Sequence, residues 1–205
     1  MTRLAGGLAI TAMLLVACGS DEVGRAPGTS TSAAFDVTPY PPSDFDELAA
    51  IFDPQIADMG LRLTRGGLID RSDGGYRESD TGQHLALYVE PLDDAIFDTA
   101  DYVEGLETVT ALFTPQVFER WSALESYDIC QEPPAELDPR SAPVPYTQIE
   151  YTRAQSDAVD WESFALADLI GDSQAAAGPG LVINPVISEH ADYAAAQAKA
   201  DGLAA

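Results

Sequence analysis

The stretch Leu61-Arg62-Leu63-Thr64-Arg65 alternates apolar and polar side chains. Because successive side chains of a β-strand point to opposite faces of its sheet, this alternation predicts a half-buried strand, which we expect to continue to Ile69. A second apolar stretch, Leu85–Val89, predicts another strand. The proline of Glu90-Pro91 ends it, because proline cannot donate a ladder hydrogen bond. The region between the two strands is predicted to be a polar loop.

Further strands and several helices are predicted along the chain. The additional strands are Tyr127–Cys130 and Thr147–Thr152, with Leu181–Ile183 as a short last one. Apolar residues at helical spacing predict helices over Ser43–Met59, Asp98–Phe113, Thr114–Trp121 and Trp161–Leu169, and an Ala-rich helix after Ser188. This order predicts an α+β fold, with helices packed on a mainly antiparallel sheet of about four strands.

Thr114-Pro115 marks an expected boundary between two helices. Threonine is a good N-cap, and proline suits the first helical position because its missing N–H would have no partner there. We therefore expect one helix to end near Phe113 and a short one to run from there to about Trp121.

The chain is strongly acidic, with 34 Asp and Glu against 10 Lys and Arg and a formal net charge of −24. The acidic residues are scattered rather than collected in a tail, which predicts a negative charge over the whole surface. Nucleic acid is excluded as a partner, because phosphate binding requires a basic patch. Strong like charge also favours a monomer.

The N-terminal segment of the chain is apolar and ends in a cysteine. Leu4–Val16 follows Arg3 and is shorter than the about 20 residues that span a bilayer, but it has the length of a signal-peptide core. Leu15-Val16-Ala17-Cys18 resembles the lipobox of bacterial lipoprotein precursors. The resemblance covers the first ~20 residues only and implies that Cys18 becomes the lipidated first residue of the mature protein.

The resemblance implies a signal peptide and a location, and the composition of the remaining chain predicts its domain organisation. Residues 1–17 would be a lipoprotein signal peptide, 18–34 a flexible tether, and 35–205 a single acidic α+β domain with a loosely docked Ala-rich C-terminal helix. The protein would be lipid-anchored in the cell membrane on its extracytoplasmic face. The alternative is an ordinary secretory signal cut near Ala17.

Four residues near the ends of the predicted strands are the candidate catalytic group. Glu90 and Glu132 each precede a proline at a strand end, and Cys130 and His84 lie close to them in sequence. Paired carboxylates can act as general acid and base, and a cysteine beside a histidine can act as a nucleophile. The alternative is that Glu-Pro only terminates the strands and that Cys130 is a small buried hydrophobic residue.

The loop before the second strand contains four candidate calcium ligands, Asp70, Asp73, Glu78 and Asp80. Carboxylate oxygens suit calcium, but the spacing departs from the EF-hand pattern, which places a bidentate glutamate at its last position. A solvated loop is the competing interpretation. We predict no cofactor.

The common catalytic motifs are absent, including Gly-x-Ser-x-Gly, His-Glu-x-x-His and the phosphate-binding loop. We therefore predict a membrane-anchored lipoprotein that binds a small-molecule ligand or an envelope protein and leave enzymatic activity open. The alternatives are an envelope hydrolase using carboxylates or Cys130, and a calcium-stabilised surface module.

Overall fold

A computed structural model describes residues 36–72, 74–75, 77–92, 98–133 and 145–203. The described strands are β1 (Leu61–Asp70), β2 (Arg77–Glu78), β3 (His84–Pro91), β4 (Ser126–Gln131), β5 (Thr147–Thr152) and β6 (Gly180–Ile183). The described helices are α1 (Phe45–Ile56), α2 (Thr99–Arg120), α3 (Arg153–Ser156), α4 (Leu166–Ser173), α5 (Pro185–Ser188) and α6 (Ala191–Leu203), with a 3₁₀ turn at Ala57–Met59. Among these helices none has both the length and the apolar character needed to cross a bilayer.

The strands form one sheet in the order β2-β1-β3-β4-β5-β6. The α+β class is confirmed, but the expectation of about four mainly antiparallel strands is wrong in number and omits a parallel pair. β3 and β4 run parallel, and the other neighbours run antiparallel. Strand β2 has only two residues, too few for a visible alternation, and alternation does not encode the direction of a neighbouring strand.

Helix α2 connects the two parallel strands. Parallel neighbours cannot be joined by a tight turn and need a crossover of a dozen or more residues. The predicted inner stripe of α2 is confirmed, because its four members are all buried against the sheet: Tyr102, Leu106, Val109 and Phe113. The crossover therefore carries a large share of the core.

The expected helix boundary at Thr114-Pro115 is wrong, because α2 continues through Pro115 to Arg120. Thr114 is fully buried, and its hydroxyl shares a hydrogen bond with the Tyr127 hydroxyl of β4. Phe113 and Val117, on either side of the proline, are also completely buried. Packing on both sides of Pro115 outweighs the loss of one backbone hydrogen bond.

The helices cover one face of the sheet. A Cβ added to Gly66 would lie 2.9 Å from a methyl carbon of Leu87 and 3.0 Å from one of Leu48, so β1 and β3 pack closely under α1 here. At the C-terminal end, α6 lies against α4 and buries Tyr193 and Ala200 in the same core. The helix that the sequence predicts to be loosely docked thus buries at least two of its side chains.

Arg153, which directly follows β5, ties the end of the crossover helix to that end of the sheet. Its guanidinium donates hydrogen bonds to the carbonyl oxygens of Phe118 at 2.9 Å, Trp121 at 2.7 Å and Leu124 at 3.0 Å. The last carbonyls of a helix have no partner within the helix, so an outside donor is needed to satisfy them. Arg153 also lies over the Phe118 ring, 5.0 Å from its centroid.

Arg153→Lys should lower the free energy of unfolding by about 2 kcal/mol, because a single ammonium cannot reach three carbonyls and leaves some unsatisfied. Chemical denaturation of the wild-type and variant proteins measures the difference. The control is Arg62→Lys, which alters an exposed ion pair with Glu90 and should cost less than about 1 kcal/mol. Equal losses in the two variants would contradict the role given to Arg153.

Candidate functional site

The face of the sheet opposite the helices is largely polar, and we call it the polar face. Side-chain alternation and strand register place these residues on it: Arg65, Gly67 and Ile69 of β1; His84, Ala86, Tyr88 and Glu90 of β3; Ser126, Asp128 and Cys130 of β4; Gln148 and Glu150 of β5. His84 and Asp128 are each only 2% exposed. Burying titratable groups costs folding free energy unless they are paired, and such groups cluster at functional sites. The polar face is therefore the candidate functional surface.

The two predicted carboxylates reach the same end of neighbouring strands, but each lies against an arginine. Glu90 accepts a hydrogen bond from Arg62 Nε at 2.9 Å. Glu132 accepts from Arg65 at 2.6 Å and from the Thr64 hydroxyl at 3.2 Å. Each carboxylate is thus engaged in an ion pair with an arginine of β1 and does not face the other carboxylate as a partner in acid–base catalysis.

His84 lies at the opposite end of β3 from Glu90. The two residues are six positions apart, a separation of about 20 Å at about 3.3 Å per residue of extended strand. The four predicted catalytic residues therefore do not form one site. Glu90 and Glu132 share one end of the sheet, Cys130 lies between, and His84 belongs to a different cluster.

Cys130 is buried between Tyr88 and Gln148, its neighbours on the adjacent strands. Burial, together with the nearby carboxylates of Asp128 and Glu132, raises the pKa of the Cys130 thiol to about 12. The thiolate is the nucleophilic form, so this cysteine is unreactive at neutral pH. The geometry favours the interpretation as a small buried hydrophobic residue.

The predicted calcium ligands do not form a metal site in the described part of the chain. Asp70 accepts a hydrogen bond at 2.8 Å from the Ser72 backbone N–H, which lowers the pKa of its carboxyl. Glu78 and Asp80 lie along the β1 edge, and Asp73 falls outside the described residues. Among the described residues no group of three or more His, Cys, Asp or Glu side chains could hold an ion.

A second cluster on the polar face was not predicted from the sequence. His84 Nδ1 lies 2.9 Å from Ser126 Oγ, and His84 Nε2 lies 3.5 Å from Asp128 Oδ2. Arg71 places one guanidinium nitrogen 3.2 Å from His84 Nδ1 and the same nitrogen 2.6 Å from Glu150. The sequence signal was the Ser126-x-Asp128 spacing, which puts both side chains on one face, but their histidine partner depends on strand register.

Two depressions open beside these residues. The first, which we call the edge cleft, has a volume of about 340 Å³ and follows the outer edge of β1; it is lined by residues 41–43, 65–69, 78–80, 86 and 88. The second, which we call the histidine cavity, has a volume of about 230 Å³ and is lined by residues 69–72, 83–84 and 125–126. The edge cleft falls within the usual ~300–1,000 Å³ of ligand pockets.

Arg65 and Tyr88 form one wall of the edge cleft. The Arg65 guanidinium carbon lies 3.7 Å from the centre of the Tyr88 ring, a close cation–π contact. Burial raises the pKa of the Tyr88 hydroxyl. The hydroxyl therefore stays protonated at neutral pH and is available as a hydrogen-bond donor.

No protein-family model matches this chain, and neither a curated protein nor a solved structure is significantly similar to it. Function is therefore inferred from the geometry of these residues.

Cys130 should resist modification in the folded protein. In a Cys18→Ser background, where it is the remaining thiol, we expect 5,5′-dithiobis(2-nitrobenzoate) at pH 8 to react at least 100-fold more slowly with the native protein than with the denaturant-unfolded protein. Absorbance of the released thiolate measures both rates. A native rate close to the unfolded rate would show that Cys130 is accessible and reactive.

Proposed function

We propose that this protein is a lipid-anchored extracytoplasmic binding module that holds an extended segment of an envelope protein in the edge cleft. Anchoring through Cys18 is supported by the lipobox resemblance of residues 15–18. The lipid chains would bury methylene groups at about 0.8 kcal/mol each, and two or three chains suffice for stable attachment.

The observation that carries the binding function is the open outer edge of β1. The Leu68 carbonyl points away from β3, because it accepts a hydrogen bond at 3.0 Å from the Ser79 backbone N–H on the other side. Backbone groups of alternate residues in a strand point the same way, so the N–H and C=O of Gly66 also point outward. Strand β2 pairs only with Ile69 and Asp70 and does not extend to Gly66.

Part of the opposite wall of the cleft cannot donate hydrogen bonds to the ladder. It is formed in part by Pro41 and Pro42, which have no backbone N–H to donate. No outward hydrogen bond of Gly66 is found within the described ranges. An exposed edge of this kind pairs readily with an added strand, and main-chain hydrogen bonds then supply affinity.

The negative charge around the edge cleft favours a basic or neutral peptide as its ligand. Glu78 and Asp80 line the cleft, and the chain as a whole carries −24. Arg65, the cationic side chain on the cleft wall, is already paired with Glu132. A negatively charged segment would therefore be repelled, whereas a basic one would be attracted before contact.

A large side chain at Gly67 should block the cleft without disturbing the fold. A Cβ built there meets no atom within 4 Å and lies on the polar face, away from the helices. Peptides selected from a displayed library against the wild-type domain should lose at least tenfold in affinity for Gly67→Phe, measured by calorimetry. The matched control is Gly202→Phe, at another open glycine outside the cleft, which should bind as wild type.

Either of two results would contradict this binding site. If selected peptides bind Gly67→Phe as tightly as the wild type, or if binding leaves the Gly66 amide exchanging with water at its free rate, the edge cleft is not the site. An amide that pairs with an added strand is protected from exchange.

Lipidation should depend on Cys18 and not on Cys130, the other cysteine of the chain. In a bacterial host that processes lipoproteins, Cys18→Ser should abolish incorporation of labelled palmitate and release the protein from the membrane fraction. Cys130→Ser should leave both unchanged. Palmitate incorporation that survives Cys18→Ser would rule out the proposed anchor.

A further inference from the structure

We propose that Ser126, His84 and Asp128 form the catalytic triad of a serine esterase that opens into the histidine cavity. This activity goes beyond peptide binding and uses none of the residues that carry it. A triad is recognised by the geometry and roles of its members rather than by their order in the chain. The three roles are nucleophile, general base and orienting carboxylate.

The parallel pairing of β3 and β4 brings the three side chains together. Ser126 and Asp128 are two residues apart on β4 and so share a face, and His84 lies directly opposite Ser126 in the register. The Oγ–Nδ1 separation of 2.9 Å is a hydrogen bond, and the 3.5 Å between Nε2 and the Asp128 carboxylate needs only a small shift to become one. Such contacts are often loose in a protein without substrate.

The surroundings determine which ring nitrogen acts as the base. Arg71 has no acceptor, so its approach to His84 Nδ1 at 3.2 Å favours the tautomer that has a lone pair on this nitrogen. The proton of the neutral ring is then on Nε2, facing Asp128. The lone pair on Nδ1 then faces the Ser126 hydroxyl at 2.9 Å and takes its proton. In most serine hydrolases Nε2 faces the serine and Nδ1 faces the carboxylate. Here the two nitrogens are exchanged, but one still acts as the base and the other still faces the carboxylate.

Asp128 is held in position to orient the ring. Its Oδ2 accepts a hydrogen bond at 2.9 Å from Gln148 Nε2 on β5, the strand next to β4. Asp128 and His84 are each 2% exposed, and burial strengthens the attraction between a carboxylate and the imidazolium that forms during the reaction. Asp128 is therefore a positioning residue.

Ser126 is accessible where the other two are not. It is only half-buried and lines the histidine cavity together with Arg71. The guanidinium of Arg71, held by Glu150 at 2.6 Å, lines the same cavity and would stabilise the negative oxygen of a tetrahedral intermediate there. The histidine cavity thus contains both a nucleophile and an oxyanion donor.

The reaction is the hydrolysis of a carboxylic ester. Ser126 Oγ bonds to the carbonyl carbon while its proton moves to His84 Nδ1. The carbon–oxygen bond to the alcohol then breaks, and the alcohol leaves with that proton. Water attacks the acyl-serine ester, gives one proton to His84, and releases the carboxylic acid as Ser126 regains a proton. No other reactant is required.

The histidine cavity favours a small, uncharged acyl group. Its volume of about 230 Å³ is below the ~300–1,000 Å³ of pockets for larger ligands. Asp70 and Glu125 also line the cavity and would repel an ester that carries a free carboxylate. A short-chain neutral ester meets both conditions.

The test is a fluorophosphonate probe, which phosphonylates activated serines, applied to the folded full-length protein. We expect one adduct, located at Ser126 by peptide mass spectrometry, and hydrolysis of p-nitrophenyl butyrate. Ser126→Ala should abolish the adduct and lower the hydrolysis rate at least 100-fold, with an unchanged melting temperature. Ser163→Ala is the control, because Ser163 is hydrogen-bonded to a carboxylate at 2.9 Å but lies on a turn outside the cavity.

Two outcomes would overturn the triad. Folded wild-type protein that takes up no probe has no activated serine, and an adduct that persists in Ser126→Ala places the reactivity elsewhere. Asp128→Asn supplies a second variant of nearly equal volume, which should lower kcat while KM changes little, since Asp128 acts through His84 and not on the substrate. Loss of peptide binding in the edge cleft would leave all these results unchanged.

Discussion

The parallel pairing of β3 with β4 is the constraint on which the rest of the structure depends. Parallel neighbours need a long crossover, and α2 supplies it with an apolar stripe that covers the sheet. The hydrogen bonds from Arg153 to the end of α2 then fix where β4 begins. Because the helices collect on one face, the other face is left to polar side chains.

The same pairing sets the chemistry of the polar face. Its register places His84 beside Ser126 at one end of the pair and brings Glu90 and Glu132 to the other end. Different arginines contact the two ends. Arg71 lies against His84, whereas two arginines of β1 form ion pairs with Glu90 and Glu132. The Ser126–His84 pair is thereby separated from the two ion-paired glutamates on a single sheet.

The edge cleft arises from a different constraint, the short length of β2. A two-residue strand covers only the end of β1 and leaves Gly66 facing a wall that contains two prolines. The absence of a side chain at Gly67 leaves the polar face open beside this edge, so that an approaching backbone can come close. The proposed binding and the proposed hydrolysis would thus use separate parts of the sheet, with separate chemical requirements.

Local patterns alone determined strands β1, β3, β4 and β5, the inner stripe of α2 and the acidic composition. Side-chain alternation and helical spacing are properties of neighbouring residues, so a single sequence carries them. Only the tertiary structure decided the parallel register, the passage of α2 through Pro115 and the meeting of His84 with Ser126. These depend on contacts between residues distant in the chain, where burial of a shared core outweighs local preference.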